Sequence, residues 1–135
     1  MLLASPDDIL GHYYLAMALY KTEQHEAADQ EYNNALLASN LEIIKLICLD
    51  KGINLYVQKK YKEAIDLYKT VIRIDPFYSK AFFNLAIVYD EYYEDKQPAL
   101  KYYQDFVLLE KDETSARIQA ENRIKALKEK LFFNK

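Results

Sequence analysis

The sequence predicts an all-α fold: helix-turn-helix repeats stacked as an α-solenoid and closed by a C-terminal capping helix. Three observations predict it. Only two of the 135 residues are glycine, far below the usual share of about 7 %. Tight β-turns, phosphate-cradling loops and nucleophile elbows all need glycine, so β-rich folds and glycine-loop enzymes are set aside at once. The apolar residues recur with helical period along most of the chain. The pattern also repeats. Ala28, Ala64 and Ala99 lie 36 and 35 residues apart, and each precedes a tyrosine by four residues: Tyr32, Tyr68 and Tyr103. Self-similarity at this spacing marks supersecondary units that bury their apolar faces only by stacking.

The elements follow in order. Ser5-Pro6-Asp7-Asp8 reads as an N-cap, a proline in the first helical position and two acids in the first turn. Leu15, Ala18, Leu19 and Thr22 form the stripe of the first helix, and Glu23-Gln24-His25-Glu26 breaks it. Ala28, Tyr32, Ala35 and Leu36 form the stripe of the second. The alternation returns as helices over 43–56 and 61–74, parted by Gln58-Lys59-Lys60. It returns again over 80–93 and 99–109, parted by 94–98, and a last helix spans about 114–131. Ala16, Gly52 and Ala86 recur at spacings of 36 and 34. They are expected where the two helices of a repeat approach most closely and a large side chain would splay them.

These residues make the chain resemble the tetratricopeptide repeat (TPR) family. The middle repeat carries the likeness best, with Gly52, Leu55-Tyr56, Tyr61, Ala64-Ile65, Tyr68 and Ile74-Asp75-Pro76. Asn84-Leu85-Ala86, Tyr89, Ala99-Leu100 and Tyr103 follow it. The first repeat has Leu15-Ala16, Ala28, Tyr32 and Ala35-Leu36. The resemblance implies a right-handed solenoid in one domain over 1–135, with repeats at about 9–42, 45–78 and 79–113 and a cap at about 114–131. Three departures stand out. Val71 and Phe106 occupy the position where Ala35 is small, Lys51 replaces a usual leucine, and the third turn has one extra residue around 95–97.

The cap is expected to bury Ala116, Ala120, Ile124, Leu127 and Leu131, and to expose Arg117, Arg123, Lys125, Lys128 and Lys130. Net charge is −3, distributed as −6 over residues 1–50, −1 over 51–113 and +4 over 114–135. A weakly acidic chain with a short basic tail lacks the clustered cations that phosphates require, so nucleic acid is not an expected partner. No run of 18 apolar residues occurs, so no membrane span is expected. Met1-Leu2-Leu3-Ala4 has neither a basic n-region nor a long apolar run, so no signal peptide is expected, and a complete chain is expected to be cytoplasmic.

Catalytic chemistry is not expected. Neither His12 nor His25 has a triad-like spacing to a nucleophile or carboxylate. Cys48 is the single cysteine, expected as a buried, inert thiol with no metal-ligand spacing around it. The acids Asp90, Glu91, Glu94 and Asp95 match no cation loop and read as a solvated face. No cofactor and no metal are expected.

In TPR solenoids the first helix of each repeat lines a concave groove that holds the ligand. Taking the helical face around each small packing position places Tyr13, Met17, Tyr20, Leu49, Ile53, Tyr56, Phe83, Ile87 and Asp90 on that groove. Lys80, Asn84, Lys21, Asp50 and Glu91 flank them. The resemblance also permits an exclusion. Family members that hold the acidic tails of heat-shock chaperones clamp the carboxylates with Lys, Asn and Arg. The matching positions here are Tyr13, Met17, Asp50, Lys80 and Asn84. Only Lys80 has suitable chemistry and Asp50 repels a carboxylate, so these tails are not expected partners. The expected function is a non-catalytic scaffold or adaptor that binds a peptide or amphipathic helix in an apolar, tyrosine-lined groove. The alternative is a homo-oligomerisation or assembly element, such as a homodimer, whose groove its own chain or a second copy covers. Tyr32, Tyr61, Tyr68, Tyr89 and Tyr103 are expected to be structural, and Tyr13, Tyr20 and Tyr56 to face the partner.

Overall fold

A computed structural model describes residues 9–38 and 41–133, with residues 37, 38 and 41 described by backbone alone. The N-terminal capping signal at Ser5–Asp8 lies outside the described residues. Seven helices and no strand occur among those described: α1 (Ile9–Lys21), α2 (His25–Ala38), α3 (Leu41–Val57), α4 (Tyr61–Ile74), α5 (Ser79–Tyr92), α6 (Gln97–Leu109) and α7 (Ser115–Phe133). The all-α repeat class read from the sequence holds. The boundaries move by a few residues, most at α2, which begins at His25 inside the expected polar break. The chain divides into two compact units, Met1–Ile74 and Asp75–Lys135.

In the first unit, α1 packs on α2, α2 on α3 and α3 on α4. Ala16, Ala28, Tyr32, Ala35 and Ile47 form one buried cluster, with Ile9, Tyr13, Leu19, Tyr20, Leu36 and Ile43 packed around it. Gly52 is the small contact of α3. A Cβ placed there would lie 2.9 Å from Tyr68 Cζ and closer still to Cε1, so the α4 tyrosine occupies the volume that any side chain would need. Lys51, beside Gly52, reaches α2, where its ammonium donates to Asn33 Oδ1 at 2.5 Å.

The two turns of this unit are built alike. After α1, Glu23 N–H donates to Tyr20 O (3.0 Å) and Gln24 N–H to Leu19 O (2.9 Å). After α3, Lys59 N–H donates to Tyr56 O and Lys60 N–H to Leu55 O, both at 2.9 Å. This is the paired hydrogen bonding of a Schellman cap, which wants a left-handed residue at its centre. Glu23 (φ 62°) and Lys59 (φ 63°) take that conformation although neither is glycine. A left-handed non-glycine residue costs about 1–2 kcal/mol, and glycine gives back roughly 0.5–1 kcal/mol through the freedom it adds to the unfolded chain. Lys59→Gly is therefore expected to stabilise the chain by about 0.5 kcal/mol, read as a higher urea midpoint at unchanged m-value.

In the second unit, α5 packs on α6 and α6 on α7. Its core includes Phe82, Leu85, Ala86, Ala99, Tyr103, Phe106, Ala120 and Leu127. Phe106, the bulky departure from the repeat, is buried against Phe83 with ring centres 4.9 Å apart. The longer turn after α5 ends differently from the other two. Lys96 reaches back, and its ammonium donates to the carbonyls of Asp90 and Tyr93, the latter at 2.7 Å. A cation thus closes the negative end of α5. Thr114 caps α7, its Oγ1 accepting the Arg117 N–H at 3.1 Å.

The basic face expected on the capping helix is corrected at two positions. Arg123 makes a two-pronged pair with Asp90 of α5, Nε to Oδ2 at 2.8 Å and Nη2 to Oδ1 at 2.9 Å. Tyr103 of α6 donates its hydroxyl to the same Oδ2 at 3.2 Å. Arg117 donates to the carbonyls of Val107 (3.0 Å) and Glu110 at the end of α6. Both arginines stand three residues from Ala120, at the edges of the apolar stripe, where long stems reach the neighbouring helices. Asp90 is accordingly no part of a solvated acidic face, since its side chain is 9 % exposed.

Candidate functional site

Three of the expected groove residues come together on the first unit. Met17 and Tyr20 stand one turn apart on α1, Ile53 faces them from α3, and Tyr32 of α2 forms part of the wall. With Lys21 and Asp50 they line an open cavity of about 170 Å³. Helical spacing explains the set. Tyr13, Met17 and Tyr20 follow the i, i+4, i+7 rule, as do Leu49, Ile53 and Tyr56.

Asp50 ties the site together. Tyr13 donates its hydroxyl to Asp50 Oδ2 at 2.5 Å, linking α1 to α3 across 37 residues of sequence. Burial first, then the hydrogen bond to Asp50 and its negative charge, push the Tyr13 hydroxyl above the ordinary phenol range. Burial and the charge of Asp50 do the same to Tyr32. In Tyr68 burial leads, with Tyr56, Tyr20 and Asp50 adding to it. These phenols stay neutral, and Tyr13 acts as a hydrogen-bond donor.

The remaining residues fall into three groups. Leu49 is corrected: it is 6 % exposed and belongs to the core, because it lies one turn before Gly52 on the buried side of α3. Tyr13, Tyr20 and Tyr56 are half-buried and engaged with their neighbours rather than left over. Tyr13 holds Asp50, Tyr20 meets His25 edge-on at 5.5 Å, and Tyr56 meets Tyr61 edge-on at 5.8 Å. Lys80, Phe83, Asn84 and Ile87 all lie on α5, in the second unit. Lys80 is exposed, the other three are half-buried, and the Phe83 ring packs edge-on against Tyr103 at 6.2 Å.

A second polar assembly supports α3 from the turn after α1. Asn54 is fully buried. Its Nδ2 donates to His25 O at 2.8 Å and to Asp29 Oδ1 at 2.6 Å, and its Oδ1 accepts from His25 Nδ1 at 2.7 Å. Gln58 donates to Asp29 Oδ2 at 2.9 Å. Sequence reasoning missed Asn54, since a lone asparagine on an amphipathic helix signals nothing until its partners are known. His12 meets a carboxylate after all: its Nδ1 lies 2.6 Å from Glu31 Oε2, joining α1 to α2. Cys48 is buried, and burial pushes its thiol up, with Lys51 pulling weakly the other way. A buried thiol held in its neutral form is a poor nucleophile. Among the described residues no cluster of three His, Cys, Asp or Glu side chains could hold a metal ion, and no helix is long and apolar enough to cross a membrane.

No family model matches the sequence, and no curated protein matches it. Solved structures do. The Sgt2 TPR domain from Aspergillus fumigatus is similar with a TM-score of 0.78 at 16 % identity, covering 91 % of this chain and 80 % of that one. The first TPR of Spaghetti (RPAP3), bound to the HSP90 peptide SRMEEVD, has a TM-score of 0.78 at 14 % identity over 97 % of this chain and 98 % of that one. MamA has a TM-score of 0.68 at 16 % identity over 79 % of this chain and 61 % of that one. Together with the helical pairs and the buried small residues at their contacts, these likenesses establish that the chain has a TPR-like fold.

Proposed function

We propose that the chain is a non-catalytic protein-interaction module of the TPR family, and that the α1–α3 face of its first unit binds a peptide or amphipathic helix of a partner protein. The cavity between Met17, Tyr20 and Ile53 carries this reading, because it is open, mostly apolar and walled by side chains on rigid helices. Methionine and tyrosine suit such a surface, the first by adapting its shape and the second by offering a stiff ring with a polar tip.

Charge argues against an acidic chaperone tail as the ligand. The RPAP3 domain holds an HSP90 peptide, but here Asp50 stands in the cavity wall and opposes a second carboxylate. The SRMEEVD peptide is expected to bind no more tightly than about 1 mM.

The test is a peptide selection against the whole chain, followed by anisotropy titration of the selected peptides. Met17→Glu combined with Ile53→Lys is expected to weaken them by at least about tenfold, or roughly 1.4 kcal/mol, with the melting curve retained. Tyr13 is left intact because its hydroxyl holds Asp50. Undiminished binding by a folded double variant would sink the proposal.

A further inference from the structure

We propose that the outward face of α1 is a contact surface for a second copy of this chain, with the two α1 helices antiparallel across a two-fold axis near Tyr14. The inference is independent of the peptide-binding reading above. It starts from the composition of the helix. Among its 13 residues only His12 and Lys21 are basic and none is acidic. His12 is committed to Glu31 of α2 at 2.6 Å. A helix with apolar residues all round belongs in an interior, yet one face of α1 is uncovered. Leu10 is 53 % exposed, Tyr14 62 % and Leu15 39 %. Leu10, Tyr14 and the exposed Ala18 recur at i, i+4 and i+8, so they form one stripe, with Leu15 on its border and the exposed Lys21 at its C-terminal end.

Charge selects the occupant. The middle of the stripe carries no charge, Lys21 ends it, and Asp7 and Asp8 stand immediately before the helix in the sequence. A base at one end and acids at the other make the helix complementary to its own reversed copy, because antiparallel pairing brings each Lys21 toward the acids of the second chain. The helix dipoles favour the same direction. With Tyr14 facing Tyr14 of the second copy, Leu10 falls against Ala18, large against small, and the two phenol rings meet near the axis. Such a contact is isologous: it uses one patch twice and closes at two chains. The 13 residues of α1 make a helix about 20 Å long. The patch is therefore small, and a dissociation constant on the order of 10 µM is expected.

Sedimentation velocity on the full chain, from about 1 to 200 µM, is expected to show a concentration-dependent shift from one chain to two. Tyr14→Asp and Leu10→Asp change exposed residues outside the cavity lining. Each is expected to weaken the dimer by at least about tenfold, with the melting curve of dilute protein retained. Lys21→Glu, and the pair Asp7→Lys with Asp8→Lys, are each expected to weaken self-association by about threefold or more, because like charges then meet at both ends. Mixing these two variants sets opposite charges against each other at both ends again, and the mixture is expected to dimerise about as well as the wild type. Ile53→Lys, on α3, is expected to leave the dimer unchanged, which separates this surface from the peptide cavity. A chain that stays monomeric throughout overturns the inference. So does a dimer that the folded Tyr14→Asp and Leu10→Asp variants leave intact, since it uses another face, or a charge-swapped mixture that associates no better than its components. If the wild type is monomeric and Tyr14→Asp instead abolishes binding of the selected peptides, the face belongs to a different protein and the inference falls.

Discussion

Gly52→Leu is expected to cost more than about 3 kcal/mol of stability and to broaden or abolish cooperative unfolding. The cause is one contact. Tyr68 is 2 % exposed, and its ring lies where the first carbon of any side chain at position 52 would go. Neither partner has an easy way out, since Gly52 sits inside α3 and the Tyr68 ring is enclosed. Gly52→Ala separates two opposing effects. Overpacking costs about 1–3 kcal/mol, while alanine gains about 1 kcal/mol of helix propensity over glycine. In the wild-type background the clash wins. With Tyr68→Leu in place the ring is gone, and Gly52→Ala is expected to become neutral or stabilising. A double-mutant cycle by urea denaturation measures that change of sign. Additive effects of the two substitutions would show that the small residue is needed for some other reason.

Asn54→Leu is expected to cost roughly 2–4 kcal/mol, although leucine is similar in size and a better helix former. The asparagine holds three groups at once: the His25 carbonyl, the His25 ring nitrogen and the Asp29 carboxylate. Removing it leaves polar atoms of half-buried His25 and Asp29 without the partner that reaches them from a fully buried position, which costs more than a single net hydrogen bond contributes. Gln58→Ala removes one donor to Asp29 and is expected to cost only about 1 kcal/mol. Amide exchange should report the difference locally, with the first turn of α2 losing protection in Asn54→Leu. If the two variants cost the same, the buried asparagine is not the centre of the assembly.

Much of the fold was legible in advance. The small residues Ala16, Gly52 and Ala86 are all buried, as are Ala28, Ala64 and Ala99. The tyrosines four residues on, Tyr32, Tyr68 and Tyr103, are each 2 % exposed. Regular helical packing repeats with the chain, so its contacts leave a periodic trace in the residue types. The two glycines were also informative, but in an unexpected way. Neither takes a left-handed conformation; Glu23 and Lys59 do, and nothing in their residue types announces it.

The candidate site was legible only in part. Met17, Tyr20 and Ile53 were found because they follow helical spacing, while Leu49 followed the same spacing and proved to be core. A period of about 3.6 residues tells which side chains share a stripe, not how far the next helix covers it.

By itself the sequence determined the class of fold, the number and order of the helices among the described residues and which small residues sit between them. All of these follow from short-range periodicity and from volume. Tertiary structure alone decided where the charges went. Asp50 meets Tyr13, Asp90 meets Arg123, and Asn54 meets His25 and Asp29, pairs separated by 25 to 37 residues. A polar side chain has no periodic signature. Its partner is whatever the packing of apolar faces brings within reach, and a carboxylate that looks solvated in the sequence becomes a clamp or a cavity wall once helices close around it.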